Sequence, residues 1–326
     1  MKPLATLSLD LDDAWSYRKT HGDPGWKELP TYLDRVVPLA LEMLAEKGLT
    51  ITFFIVGQDA ARPRHRDVLR AIPAAGHEVG NHSFHHDPWL HRYAREDVEA
   101  EIARAEEAIL EATGARPVGF RGPGYSVTPD VLEVLWERGY RYDASTLPTF
   151  LGPLARAYYF LRADLPAEER RKRGALFGSV RDGFRPLRPY QLQTGEGRLL
   201  EIPVTTLPVL RTPFHLSYVL WLSRVQAGMA RSYFRNALRV CRLMGVEPSV
   251  LVHPLDLLGG DEVEALEFFP GMDLPGAVKR ARVASYLDDL GARFQVETLG
   301  SYTAMAGERG GLRVRPATWL EHRSEA

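Results

Sequence analysis

With 326 residues, of which 45% are hydrophobic and 25% charged, the chain has the make-up of an ordinary globular protein, long enough for one large α/β domain or two smaller ones. A formal net charge of −1 supplies no global field for nucleic acid, and no apolar run reaches the roughly 18 residues that a membrane-spanning helix needs. The single cysteine, Cys241, excludes an intrachain disulfide, and the first residues lack the apolar stretch of a secretion signal, so a cytoplasmic setting is expected.

Taken in order, residues 6–12 alternate apolar and polar side chains and read as a strand that runs out into three carboxylates, Asp10, Asp12 and Asp13. The polar and aromatic stretch 14–30 reads as a loop. Apolar spacing predicts a helix over 32–47, stopped by Gly48, and a continuous apolar run predicts a strand over 51–56. A short helix over 64–75 and a strand over 78–81 lead into G-N-H-S-F-H-H-D-P at 80–88. A strongly periodic helix, 96–113, ends at Gly114, and a short strand, 118–121, runs into R-G-P-G-Y. Thr128 as N-cap with Pro129 at the first helical position opens a helix to Arg138, followed by a strand at 142–144.

The rhythm breaks over 145–198, an aromatic and basic segment expected to be an insertion over one face, either a lid or a contact with anionic lipid headgroups. Beyond it the pattern predicts a strand at 199–206, helices at 216–223 and 226–244, and a strand, S-V-L-V-H, at 249–253. A helix at 277–290, a strand at 294–297 and a helix at 299–306 complete the series. From residue 307 the chain is arginine-rich and reads as a loosely held tail. Alternating strands and helices predict one α/β domain over 1–306 with a largely parallel sheet or barrel.

His82 and His86 stand four residues apart, and on a helical turn that spacing turns both imidazoles to one face, in reach of one ion. Two histidines and a carboxylate leave a coordination position open for water, the pattern of a catalytic zinc centre. Ser83 occupies the position where H-E-x-x-H needs glutamate, which excludes the zincin arrangement. Reactive side chains recur at the ends of expected strands. Asp10, Asp12 and Asp13 follow the first, His82 and His86 the third, and Arg121 the fourth; Asp143 lies near the end of the fifth, and His253 ends a later one. In α/β barrels active sites gather at those carboxyl ends.

Through S-L-D-L-D-D (8–13), H-S-F-H-H-D-P (82–88), R-G-P-G-Y (121–125), L-V-H-P (251–254) and, in outline, G-Y-R-Y-D-A-S (139–145), the chain resembles the polysaccharide deacetylase family, the NodB-homology domain of metal-dependent carbohydrate esterases. The resemblance runs from about residue 4 to 306, with 145–198 outside the common core. It implies a distorted barrel of seven or eight β/α units. It also implies hydrolysis of an N-acetyl, N-formyl or O-acetyl group on an acylated amino-sugar or lipid-linked sugar. On this resemblance Asp12, His82 and His86 hold one divalent ion, zinc first, with cobalt and nickel as alternatives. Asp10 is the base, held in place by Arg121; a backbone N–H near Gly124 or Tyr125 receives the oxyanion; His253 is the acid.

The chain departs from the family pattern in three places. Ala14 and Trp15, not glycine, follow the carboxylates, Gly124 intervenes between proline and the aromatic, and the fourth motif lacks its tryptophan. These departures point to a subfamily distinct from chitin or peptidoglycan deacetylases. Strand alternation favours Asp12 as ligand and Asp10 as base, with Asp13 turned away; the competing alignment pairs Asp12 as base with Asp13 as ligand. Asp143 is expected to be structural, and His77, His85, His91 and His215 to have packing or surface roles. Two other readings are a hydrolase of a small cyclic amide or ureide on the same fold and a catalytically silent sugar- or lipid-binding protein.

Overall fold

In the computed structural model the described residues are 2–154, 178–195, 197–318 and 320. The strands are β1 (Leu4–Leu11), β2 (Thr52–Ile55), β3 (Glu78–Asn81), β4 (Gly119–Phe120), β5 (Tyr142–Asp143), β6 (Tyr190–Thr194), β7 (Gly197–Glu201), β8 (Ser249–Val252), β9 (Gln295–Glu297) and β10 (Val314–Pro316). Along the path β7-β5-β4-β3-β2-β1-β8 every neighbouring pair is parallel. The two ends of that path meet just past β7, where Thr205 N donates to Ser249 O at 2.9 Å and Ser249 N donates to Thr205 Oγ1 at 2.8 Å. The result is a distorted seven-stranded α/β barrel, closed by a pair of hydrogen bonds rather than by a full ladder. Strand β6 is antiparallel to β7, and β10 pairs with β6 outside the ring.

The helices are α1 (Ala14–His21), α2 (Leu33–Glu46), α3 (Gly57–Ala60), α4 (Arg66–Ala74), α5 (Arg95–Thr113), α6 (Pro129–Glu137), α7 (Leu216–Ser223), α8 (Ala227–Leu243), α9 (Gly276–Arg293) and α10 (Leu299–Arg309). Local chemistry fixes several ends. Thr128 caps α6 by accepting from Val131 N, with Pro129 behind it, and Gly114, at φ 76°, stops α5. Helix α1 occupies part of the stretch expected to be loop. Asp13 caps its start, accepting from Ala14 N at 2.8 Å, and Gly22 ends it in the left-handed conformation. No described helix is long and apolar enough to cross a membrane.

Strand register decides which side chains face the barrel interior. Asp10 is level with Phe54 and Gly80, and the ladder continues through Gly119, Tyr142 and Leu200. Phe54, Tyr142, Leu200, Ala144 and Ile202 form one apolar cluster with Leu299, Tyr302 and Ala306 of α10. That cluster fills the barrel. Helix α10 seats against the N-terminal ends of β2 and β3, where Leu299 N donates to Thr52 Oγ1 at 2.9 Å and Gly300 N to Glu78 Oε2 at 2.8 Å. The intervening level, Leu11, Ile55, Asn81, Phe120, Asp143 and Glu201, faces outward toward the helices.

Of the expected insertion, residues 155–177 lie outside the described residues, while β6 belongs to a hairpin with β7. The expected loose tail is held in part: β10 pairs with β6, and Ala317 and Leu320 are buried. Residues 321–326 lie outside the described residues.

Gly119 is required by the filling of the barrel. A Cβ there would stand 1.9 Å from Cζ of Tyr142, a buried ring on the adjacent strand. Gly119→Ala is expected to cost about 1–3 kcal/mol by overpacking, read as a lower urea midpoint with unchanged slope.

Candidate functional site

The inward levels at the C-terminal mouth of the barrel carry the reactive side chains. Asp10 on β1 sits beside Phe54, and because Leu9 is level with Val252, His253 lies level with Asp10 on the other flank. One residue beyond the outward level stand Asp12, His82, Arg121 and Ala144, after β1, β3, β4 and β5. Fold and site are therefore linked by parity: two residues per repeat place these groups in one mouth.

His82 and His86 are not on a helical turn. They lie on the loop after β3, and the chain doubles back through left-handed backbone at Ser83 (φ 60°) and His86 (φ 51°). Side chains near strained backbone of this kind must be held by their surroundings. Asn81 Oδ1 accepts from Ser83 N at 2.8 Å, while its amide donates to Ile102 O at 3.0 Å and to Tyr140 Oη at 2.8 Å. Glu101 of α5 accepts from Phe84 N and His85 N, each at 3.0 Å, and bonds the His85 ring.

This loop brings His82 and His86 to Asp12. Asp12 Oδ1 lies 2.9 Å from His86 Nε2 and 3.3 Å from His82 Nε2, and one ligand atom from each of the three residues falls within 4.8 Å of the others. All three residues are buried. His82 Nδ1 is 2.6 Å from the Arg121 carbonyl oxygen, which can only accept, so Nδ1 carries a proton. In the neutral ring Nε2 then turns a lone pair toward a carboxylate oxygen. Two acceptors facing each other in a buried site need a cation or a proton between them, and two imidazoles with a carboxylate suit a divalent metal. The electrostatics agree. Burial raises Asp12, but the two imidazoles outweigh it and hold the carboxyl well below the usual range; burial lowers His82, but Asp12 and Asp10 carry it above the usual imidazole value.

Arg121 is fully buried. Its Nη1 donates to Asp10 Oδ1 and to Ser8 Oγ, both at 2.7 Å, and its Nε donates to Ala144 O at 2.9 Å. In the following loop Gly124 (φ 58°) and Tyr125 (φ 61°) are both left-handed, and a Cβ on Gly124 would meet Pro88 at 2.9 Å. Tyr125 N donates back to Gly122 O at 2.9 Å, whereas Gly124 N has no acceptor among the described residues. Asp13 stands apart from the cluster: its Oδ1 accepts from Ala14 N and, at 2.9 Å, from Tyr32 N, and burial lifts its carboxyl to about 6. His253 Nδ1 lies 2.9 Å from Ser217 Oγ on α7.

Asp143 faces outward, away from His253. It accepts from Ser145 Oγ, whose oxygen in turn accepts from Gly122 N at 2.7 Å, so it supports the loop after β4. Beside it is Glu201, a buried carboxyl that no motif marked in the sequence; register alone, Asp143 opposite Glu201, brings them together. Burial first, and the Asp143 charge second, push Glu201 well above its ordinary 4.5. The folded protein therefore keeps a proton there that the unfolded chain releases near 4.5. Its stabilising contribution is complete below that pH and is lost as pH rises. Glu201→Gln copies the protonated form at every pH. It should match the parent near pH 4.5 and exceed it by about 1 kcal/mol or more at pH 8, measured as urea midpoints at both pH values.

The sequence profile of the family described as "Polysaccharide deacetylase" matches residues 12–142. The chain is 27% identical over 111 residues to a peptidoglycan deacetylase of Helicobacter pylori, covering 34% of this chain and 37% of that protein. It is 41% identical over 76 residues to a chitooligosaccharide deacetylase of Sinorhizobium fredii, covering 23% and 34%. The chain thus spans only about a third of the length of these curated relatives. Among solved structures, a putative polysaccharide deacetylase from Mycobacterium smegmatis superposes with a TM-score of 0.60 at 19% identity, covering 97% of both chains. Puue allantoinase gives 0.58 at 17%, covering 92% of this chain and 89% of its own. These two show that the barrel architecture is shared along almost the whole chain. The matched segment starts at Asp12 and spans both histidines and the R-G-P-G-Y loop, so over residues 12–142 the chain is similar to the polysaccharide deacetylase family.

Proposed function

We propose that this protein is a metal-dependent hydrolase that removes an acetyl or formyl group from the nitrogen of an amino sugar. The observation that carries the reading is the meeting of Asp12, His82 and His86 in the barrel mouth that also holds the Asp10–Arg121 pair and His253. The deacetylases named among the relatives support acetylated amino sugars as the substrate class.

Asp12, His82 and His86 would hold one divalent ion, with zinc the ordinary occupant of such a donor set. When bound, an ion of this kind acidifies water and polarises a carbonyl. The chain's own residues supply the rest. Asp10, kept in position by the Arg121 guanidinium 2.7 Å away, takes the proton of the attacking water. The tetrahedral oxyanion meets a backbone N–H of the loop after β4, and Gly124 N is the donor not already used in the turn. His253, on the far side of β1, gives a proton to the amine nitrogen as the C–N bond breaks.

Three variants test these roles on purified protein, with metal analysis run beside acetate and formate release from a panel of N-acylated amino sugars and lipid-linked sugars. His82→Ala and His86→Ala should lose metal and activity together while the circular dichroism spectrum is unchanged. His253→Asn should keep its metal and lose ~10²–10⁴-fold in turnover. Full metal occupancy in both histidine variants would place the ion elsewhere. Bound metal with no release across the panel would favour a binding protein over an enzyme.

A further inference from the structure

The roles proposed for Asp10, Arg121 and His253 leave two side chains beside His253 unexplained. Ser217, on the first turn of α7, is 36 residues away in sequence. Asp256 is the last residue of the 3-10 turn Pro254–Asp256 that follows His253. His253 Nδ1 lies 2.9 Å from Ser217 Oγ, and Ser217 Oγ donates to Asp256 Oδ2 at 3.0 Å. The same Oδ2 accepts from His253 N at 2.8 Å. Asp256 is buried, and the turn that carries it is pinned from α9 by Lys279, whose Nζ donates to Leu255 O at 2.8 Å and Leu258 O at 2.9 Å.

A serine hydroxyl has one proton, and here that proton points at a carboxylate oxygen. The other nearby donor, Asp256 N, is engaged by the His253 carbonyl oxygen at 2.9 Å, so Ser217 Oγ accepts from His253 and the proton lies on Nδ1. We infer that Asp256, acting through Ser217, fixes the tautomer and orientation of His253 so that its Nε2 is the atom presented to the substrate. This rests on the reading of His253 as the proton donor. A neutral ring held with its proton on Nδ1 has only a lone pair at Nε2, so it must first take up a second proton. The donor is then the imidazolium, and the Asp256 carboxylate is the anion that stabilises it. Asp143, in the fourth motif, faces out of the barrel and is engaged with Ser145 and Glu201, so it does not fill this place. Ser217 and Asp256 are positioning residues.

The charged and titratable groups facing this relay come from every element packed on it. His215, at the N-cap of α7 with its ring 6.5 Å from that of His253, is pushed by burial down to about 3 and stays neutral. Lys279 faces Asp256 from α9, and Tyr17 of α1 lies in the field of Asp12, Asp256 and Asp10. None of these replaces the carboxylate as an acceptor for Ser217.

The test has one arm that needs no substrate. In full-length protein carrying 15N-labelled histidine, with the His253 signals assigned by their loss in His253→Asn, neutral His253 should hold its proton on Nδ1. In Ser217→Ala and Asp256→Asn the proton should move to Nε2, and Ser217→Thr should restore it. The second arm uses acetate release from an N-acetylglucosamine tetramer. Both disruptive variants should lose ~10–100-fold in kcat, the scale of losing an outer partner of a functional histidine, with KM and metal content near the parent values. The basic limb of the pH–rate profile should move to lower pH in Asp256→Asn. A parent protein with its neutral proton on Nε2, or two variants whose tautomer and pH profile match the parent, overturns the relay. If His253→Asn itself keeps full turnover, the acid role fails, and the 15N arm still judges the relay.

Discussion

Everything in the barrel mouth leans on one buried cation. Arg121 has no solvent exposure, and a guanidinium in that position is strongly unfavourable unless its donors are met. Nη1 is met by Asp10 and Ser8 on β1 and Nε by the Ala144 carbonyl beyond β5, with the Phe54 ring 4.5 Å from the guanidinium carbon, while Nη2 has no hydrogen-bond partner among the described residues. The Arg121 carbonyl oxygen then accepts the hydrogen bond donated by His82 Nδ1. One residue thus fixes the position of the proposed base, the tautomer of one proposed metal ligand and the closure of β1 against β4 and β5 across the barrel.

Around that hub the parity of the strands does the sorting. Groups one residue apart on the same strand end on opposite sides of the sheet, which is why Asp10 and His253 share the barrel mouth while Asp143 and Glu201 lie together on the outward face. The two environments do opposite things to carboxyls. Asp12 is held ionised by two imidazoles, whereas Glu201 is held protonated by burial beside another acid. The left-handed residues Ser83, His86 and Tyr125 concentrate at the mouth, where the chain must turn side chains inward just after a strand has ended.

Much of this was legible in the sequence, because strand ends and helix periods are local properties. The helices after β1 are an instructive exception. Residues 14–30 read as loop because α1 buries only Ala14, Trp15 and Ser16 and so has little apolar period; its signals were the cap, Asp13, and the stop, Gly22. The His82–His86 spacing pointed to a shared ion through a helical turn that is absent; two left-handed residues produce the convergence instead. Ser217 and Glu201 carry no motif and reach their partners only through tertiary packing and register. Asp256 lies three residues after His253, and the H-P-L-D spacing, matching a cap with its third-position acid, was the available sign.

The central claim is that two imidazoles and one carboxylate of this chain hold a metal at the barrel mouth. Zinc-edge X-ray absorption on the purified, zinc-loaded protein tests it directly. The account requires a nitrogen and oxygen shell with the outer-shell scattering of two imidazoles, no sulfur from Cys241, and loss of the bound zinc in His86→Ala. A spectrum with a sulfur ligand, or one unchanged between the parent and His86→Ala, contradicts it.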